Sequence, residues 1–192
     1  MKSPRLVMAF LAVLLCCTWS CSDSANDTSN ATEPTATTAG NEMGNPNAVL
    51  VGEKWLRGQL ANQLGSQKLN QSGASKTLLS GLEVTKAQAT YGEEKTTIVA
   101  ITDIAKFGSN LAGVTPWLGK DLNLTEGAGF QRTSYIENYP SLETYNAAKE
   151  LATVSVLVGN RFLVAATSTS MRTTQLRDAV ATMELDDLAK GE

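Results

Sequence analysis

The chain has no histidine in its 192 residues. That removes the side chain that titrates nearest neutral pH and the commonest metal ligand. Cysteine is nearly as scarce: Cys16, Cys17 and Cys21 are the only three, and all lie at the N-terminal end. A domain downstream of Cys21 therefore has no disulfide, no thiol nucleophile and no cysteine zinc site, and Ser-His-Asp triads are excluded by residue type. Basic residues are not in excess, with 16 Lys and Arg against 19 Asp and Glu. No basic stripe emerges, so no nucleic-acid partner is expected. Long apolar runs are missing after the first one, and none reaches the roughly 20 residues of a membrane-spanning helix.

The N-terminus carries the clearest pattern. Lys2 and Arg5 precede an apolar stretch from Leu6 to Cys17, followed by Thr18-Trp19-Ser20-Cys21. A positive start, a short apolar run and a small residue before a cut describe a secretory signal peptide over residues 1–20. Ser20-Cys21 resembles the lipobox of bacterial lipoprotein precursors, in a degenerate form because Thr18 and Trp19 depart from the preferred residues. The resemblance covers about the first 22 residues. It implies cleavage before Cys21, acylation of its sulfur, and a membrane attachment that needs more than one acyl chain. In that family Ser22, rather than Asp, favours the outer membrane, so the expected location is the bacterial cell envelope, lipid-anchored and facing the periplasm.

Residues 22–47 are Ser, Thr, Asn, Ala, Gly, Pro and acids, with Met43 the one large apolar side chain. Such a segment buries too little surface to offset its ordering entropy and reads as a disordered tether over 21–47. As a random coil it would reach about 28 Å. Residues 48–192 then form one domain by length. That domain carries 14 basic and 15 acidic residues, a net charge of −1. No internal repeat stands out.

Within the domain, Leu56, Leu60 and Leu64 recur every four residues and predict a helix over Val49–Leu64, weakened by Gly52 and Gly58. The polar stretch Gly65–Gly81 reads as a connection. Leu82–Tyr91 and Lys95–Ile104 read as a hairpin around Gly92-Glu93-Glu94. Phe107, Leu111, Val114 and Leu118 share one helical face, although Pro116 keeps that helix short or broken. Phe130–Asn138 and Leu142–Ala147 predict a second hairpin, turned at Asn138-Tyr139-Pro140-Ser141. Leu151–Val158 and Arg161–Thr167 flank Gly159-Asn160, a turn that hairpins favour. Leu176, Ala179, Val180 and Met183 mark a last amphipathic helix, with Thr173 or Thr174 as its N-cap. The predicted fold class is α+β, an antiparallel sheet of about six strands packed with two or three helices. An uncovered sheet face or edge would be a natural binding surface.

Ala89-Thr90-Tyr91-Gly92, Ile101-Thr102-Asp103, Gly129-Phe130-Gln131-Arg132 and Val156–Val164 look like a widespread class of uncharacterised bacterial envelope proteins. The likeness spans about residues 82–188. It implies a small secreted or lipid-anchored α+β domain and carries no activity and no site residues.

Candidate chemistry is sparse. Ser72-Gly73-Ala74-Ser75-Lys76-Thr77 lacks both glycines of a phosphate loop and no strand precedes it, so it reads as a flexible connection. Asp103, Asp121, Glu126 and Glu137 lie near predicted element ends; ordinary surface charge is the simplest account, against paired carboxylates for acid–base work or calcium. Asp103 interrupts an apolar strand, and is either buried and paired or solvent-facing at the strand end. Trp117 either caps the core or is exposed to a partner. Tyr135, Tyr139 and Tyr145 cluster in the second hairpin, as cross-strand core pairs or as an aromatic face for a glycan or peptide. The expectation is thus a non-catalytic binding domain on an envelope lipoprotein. It needs no cofactor and no metal. Its contacts are the membrane through Cys21 and an unknown envelope protein or glycan. Asp103, Trp117, Tyr135 and Tyr145 are the candidate binding residues. The alternatives are a carboxylate-dependent hydrolase acting on an envelope glycan, which needs two acids roughly 5–10 Å apart, and a small-molecule carrier.

Overall fold

The structure, a computed structural model, describes residues 45, 47–94 and 96–191. The predicted signal peptide, Cys21 and all of the predicted tether except Asn45 and Asn47 lie outside the described residues.

The chain begins with a short helix, α1 (Glu53–Gly58), then runs through β1 (Gln63–Leu64), β2 (Gln67–Leu79), β3 (Leu82–Tyr91) and β4 (Thr97–Asp103). After an irregular connection come β5 (Asn123–Glu126), β6 (Gly129–Ile136), β7 (Tyr139–Asn146), β8 (Leu151–Val158) and β9 (Phe162–Ser168). Two helices close the chain, α2 (Thr173–Ala181) and α3 (Leu185–Lys190). All nine strands join one antiparallel sheet in the order β1-β2-β3-β4-β9-β8-β7-β6-β5. Two meanders, β1–β4 and β5–β9, meet where β4 pairs with β9.

The α+β sheet of about six strands is therefore corrected: the domain is sheet-dominated, with nine strands among the described residues and three short helices. The unpredicted strands lie toward the sheet edges. β2 occupies most of the stretch read as a connection and is half-exposed or exposed along its whole length. β5 has all four residues exposed. Strands so exposed carry few apolar side chains and little alternation in their sequence, because polar side chains cost nothing in water; in β2 only Leu69, Ala74 and Leu79 reach the cores, half-buried.

Two helical predictions also shrink. Of Val49–Leu64 only Glu53–Gly58 is helical. Gly52 and Gly58 bound the helix, and Leu60 and Leu64 reach the same core from a turn and from β1. The face formed by Phe107, Leu111, Val114 and Leu118 is carried by two 3-10 turns, Ala105–Phe107 and Leu111–Gly113. Pro116 supplies no N–H for a continuing helix.

The two sheet faces bury different partners. On one, Ala87, Val99, Ile101, Val154, Val156, Val164 and Ala166 meet Leu56, Leu176, Val180, Leu185 and Leu188 of the three helices. On the other, Val84 and Leu157 pack beneath Ile104, Phe107, Leu111 and Trp117 of the β4–β5 connection. The best-predicted element is the β8–β9 hairpin. Gly159 and Asn160 take φ of 57° and 54°, the positive values that primed hairpin turns require.

Candidate functional site

Among the described residues two acids, Asp103 and Glu143, are fully buried, and each shows what the fold does with a charge. Asp103 ends β4. Its Oδ2 accepts from the Val51 N–H at 2.8 Å and from Arg161 Nη2 at 3.0 Å. Its Oδ1 accepts from the Ala105 N–H at 3.0 Å and from Arg161 Nε at 3.1 Å. Arg161 Nη2 also donates to the Val49 carbonyl at 3.1 Å, and the guanidinium sits 5.1 Å from the Phe162 ring. The carboxylate is saturated and its cation is committed to backbone. This is a clamp that fastens the N-terminal segment to the ends of β4 and β9.

Glu143 lies on β7, across from Arg132 of β6. Strand periodicity sets Phe130, Arg132 and Ser134 on the same face as Tyr145, Glu143 and Ser141, their register partners. Oε2 of Glu143 accepts from Arg132 Nε at 3.1 Å and Nη2 at 2.6 Å, and Oε1 accepts from the Ser134 hydroxyl at 2.7 Å. From α2, Arg177 brings Nε to 3.1 Å of Oε1, a charge contact that lacks the direction of a hydrogen bond. Arg177 Nη2 donates to the Tyr135 carbonyl. One buried carboxylate thus serves two guanidiniums, which are 43% and 40% exposed.

Arg132 also lies 5.3 Å from the Phe130 ring, which in turn stands 6.4 Å from Tyr145. These three residues, with Glu150, Met171, Arg172 and the first turn of α2, line a cleft of about 560 Å³. That volume suits a small organic ligand or a peptide side chain. Its walls offer two aromatic rings, a thioether, and two guanidiniums against one carboxylate. Gly129 makes the corner possible: a Cβ there would stand 2.7 Å from the Tyr145 carbonyl oxygen.

The predicted site residues separate. Tyr145 lines this cleft. Trp117 and Tyr135 border another groove with Lys120 and Asp121, but Trp117 is only 6% exposed and belongs to the second core, whereas Tyr135 is 65% exposed. Asp103 is in the clamp. The acids also stand apart. Asp103 on β4 and Glu126 on β5 are five strands apart in the sheet order, about 24 Å at the usual strand spacing. Among the described residues no three acids group as a metal site, and no helix is long and apolar enough to cross a membrane.

The perturbed titrating groups lie elsewhere. The Glu83 carboxyl is held below its ordinary value by the Lys106 ammonium that hydrogen-bonds it. Burial pushes Tyr91 up to about 12. Tyr139 rises to about 12 because its hydroxyl donates to Asp186, with burial adding to the effect.

Phe130, Arg132, Glu143 and Arg172 were not singled out from the sequence as binding residues. The signal was present: Phe130-x-Arg132 and Glu143-x-Tyr145 are mirror images once the hairpin register is known. A turn at Asn138–Ser141 instead faces Arg132 with Ala147 and hides the pair. The actual turn is Glu137-Asn138, with Glu137 at φ 54°, and Pro140 lies inside β7. Helix α2, the one predicted from Leu176, Ala179, Val180 and Met183, starts at Thr173, with Arg172 rather than Thr173 or Thr174 at the N-cap and its N–H bonded to Gln175 Oε1.

No protein-family model matches the chain, and no match is found among the curated proteins or the solved structures.

Proposed function

We propose that the chain is a lipid-anchored lipoprotein of the bacterial cell envelope whose domain binds another envelope component without catalysing a reaction. The observation that supports binding is the Phe130–Arg132–Tyr145 cleft, where a guanidinium is held in place by a buried carboxylate and flanked by two aromatic rings. A group fixed before its ligand arrives loses less freedom on binding. The signal-like start and Cys21 support the anchored location, with the outer membrane facing the periplasm as the favoured site. Val49 is held at the Arg161 end of the strands, and the cleft lies toward the Ser168 end, about 20 Å away along β9.

Two measurements test this reading. The mass of the N-terminal peptide from the native membrane fraction should show an acylated Cys21; a free N-terminus cut elsewhere would end the lipoprotein assignment. A photo-crosslinking residue at the exposed position Thr174, beside the cleft, should capture one specific envelope partner in the native host. Capture should be lost in Phe130→Ala. If no specific adduct forms, the binding reading is dropped.

A further inference from the structure

The charge balance around Glu143 identifies the class of ligand, on the premise that the cleft is a binding site. We infer that it takes an amphipathic organic anion: one carboxylate or similar acidic group on Arg132, carried by an aromatic or alkyl body that lies on Phe130 and Tyr145.

Four observations carry this. First, Arg132 and Arg177 share Glu143 while Arg172 and Glu150 line the same cleft, three cations against two anions, so the cluster is one anion short of neutrality. Second, a guanidinium has five N–H donors, and Arg132 spends two hydrogen bonds on Glu143 while staying 43% exposed. Donors remain for an incoming acceptor, and charge-assisted pairs of this kind are the stronger ones. Third, the same guanidinium is held by Glu143 and lies over the Phe130 ring, so its position is set before any ligand arrives. Fourth, Phe130, Tyr145 and Met171 supply the apolar surface that a bare inorganic anion would not use, and Arg172 at the rim is a second donor, its charge offset by Glu150.

The Asp103 clamp is the internal control. It has the same parts, an acid, an arginine and a phenylalanine, but a single arginine whose Nη2 also holds a backbone carbonyl. By the same reasoning it should take no anion.

Phenylacetate and phenylacetamide test the assignment because they share shape and differ in charge. In amide-correlation spectra of the isotope-labelled full chain, phenylacetate should give saturable shifts at Phe130, Arg132, Tyr145 and Met171, and none at Asp103 or Arg161. It should bind about tenfold more tightly than phenylacetamide, the factor that one charge-assisted contact contributes. Arg132→Gln should abolish that preference, and Arg172→Gln, at an exposed rim position, should reduce it without touching the buried pair. Equal binding of the two probes at the cleft would overturn the anion assignment and leave the binding reading standing. The absence of saturable shifts at the cleft with either probe would overturn the inference, and the Thr174 crosslink then decides separately whether the binding reading falls with it.

Discussion

The Asp103 and Glu143 sites are built from the same parts and do different work. Each sets a fully buried carboxylate against an arginine, and each arginine lies over a phenylalanine. Asp103 takes four hydrogen bonds, two of them from backbone N–H groups. Glu143 takes its bonds from side chains alone and shares its charge between Arg132 and Arg177. The balance around a buried acid therefore says more than its burial. A carboxylate satisfied by backbone fastens the chain, and one outnumbered by exposed arginines presents cation to solvent.

Paired amide substitutions sharpen the contrast. Asp103→Asn should have the largest effect, about 3–4 kcal/mol. It sets an NH₂ group against backbone N–H and guanidinium donors and leaves a buried cluster without its counter-charge. Glu143→Gln should cost less, about 2 kcal/mol, because Arg132 and Arg177 can turn toward water. Urea midpoints at unchanged slope read both values. Equal losses would break the comparison and make Glu143 a second structural clamp.

A smaller probe lies outside both sites. Tyr91 donates its hydroxyl to the Ala61 carbonyl at 3.0 Å, so Tyr91→Phe should cost about 1 kcal/mol near neutral pH. Its folded-state value near 12 lies above the ordinary one of about 10. The stability it contributes is fully present below pH 10 and is lost as pH rises through 12. The gap between wild type and variant should therefore close across that alkaline window. A gap that stayed constant would mean that Tyr91 ionises alike in the folded and unfolded chains.

How far the sequence spoke for the structure follows the same division between saturated and open surroundings. Strands covered on at least one face were legible: Leu82–Tyr91, Thr97–Asp103 and Leu151–Val158 alternate or run apolar, and their turns carry Gly92 or Gly159-Asn160. The outer strands β2 and β5 were not: β5 is exposed throughout, and β2 sets only Leu69, Ala74 and Leu79 half-buried against the cores among polar residues, too few to mark a period. The leucines at 56, 60 and 64 predicted burial correctly and secondary structure only in part, because a spacing of four also fits helix, turn and strand in succession. Within the site, Tyr145 was legible as an aromatic in a hairpin. Arg132 and Glu143 were not, because ordinary charged residues become a pair only once the register is fixed. Asp103 stood out as an acid in an apolar strand, and the structure resolves that oddity as a fastening.

The Arg161 clamp also sets how the domain responds to load. Thr85 Oγ1 donates to the Val51 carbonyl, the Val51 N–H is held by Asp103, and Arg161 holds the Val49 carbonyl. Tension applied through residues before Val49 is therefore delivered to β3, β4 and the start of β9, strands in the interior of the sheet. Helix α1 and the strands β1 and β2 lie behind that fastening and carry no force until it yields. A pull on the N-terminus meets the clamp before it can peel anything away.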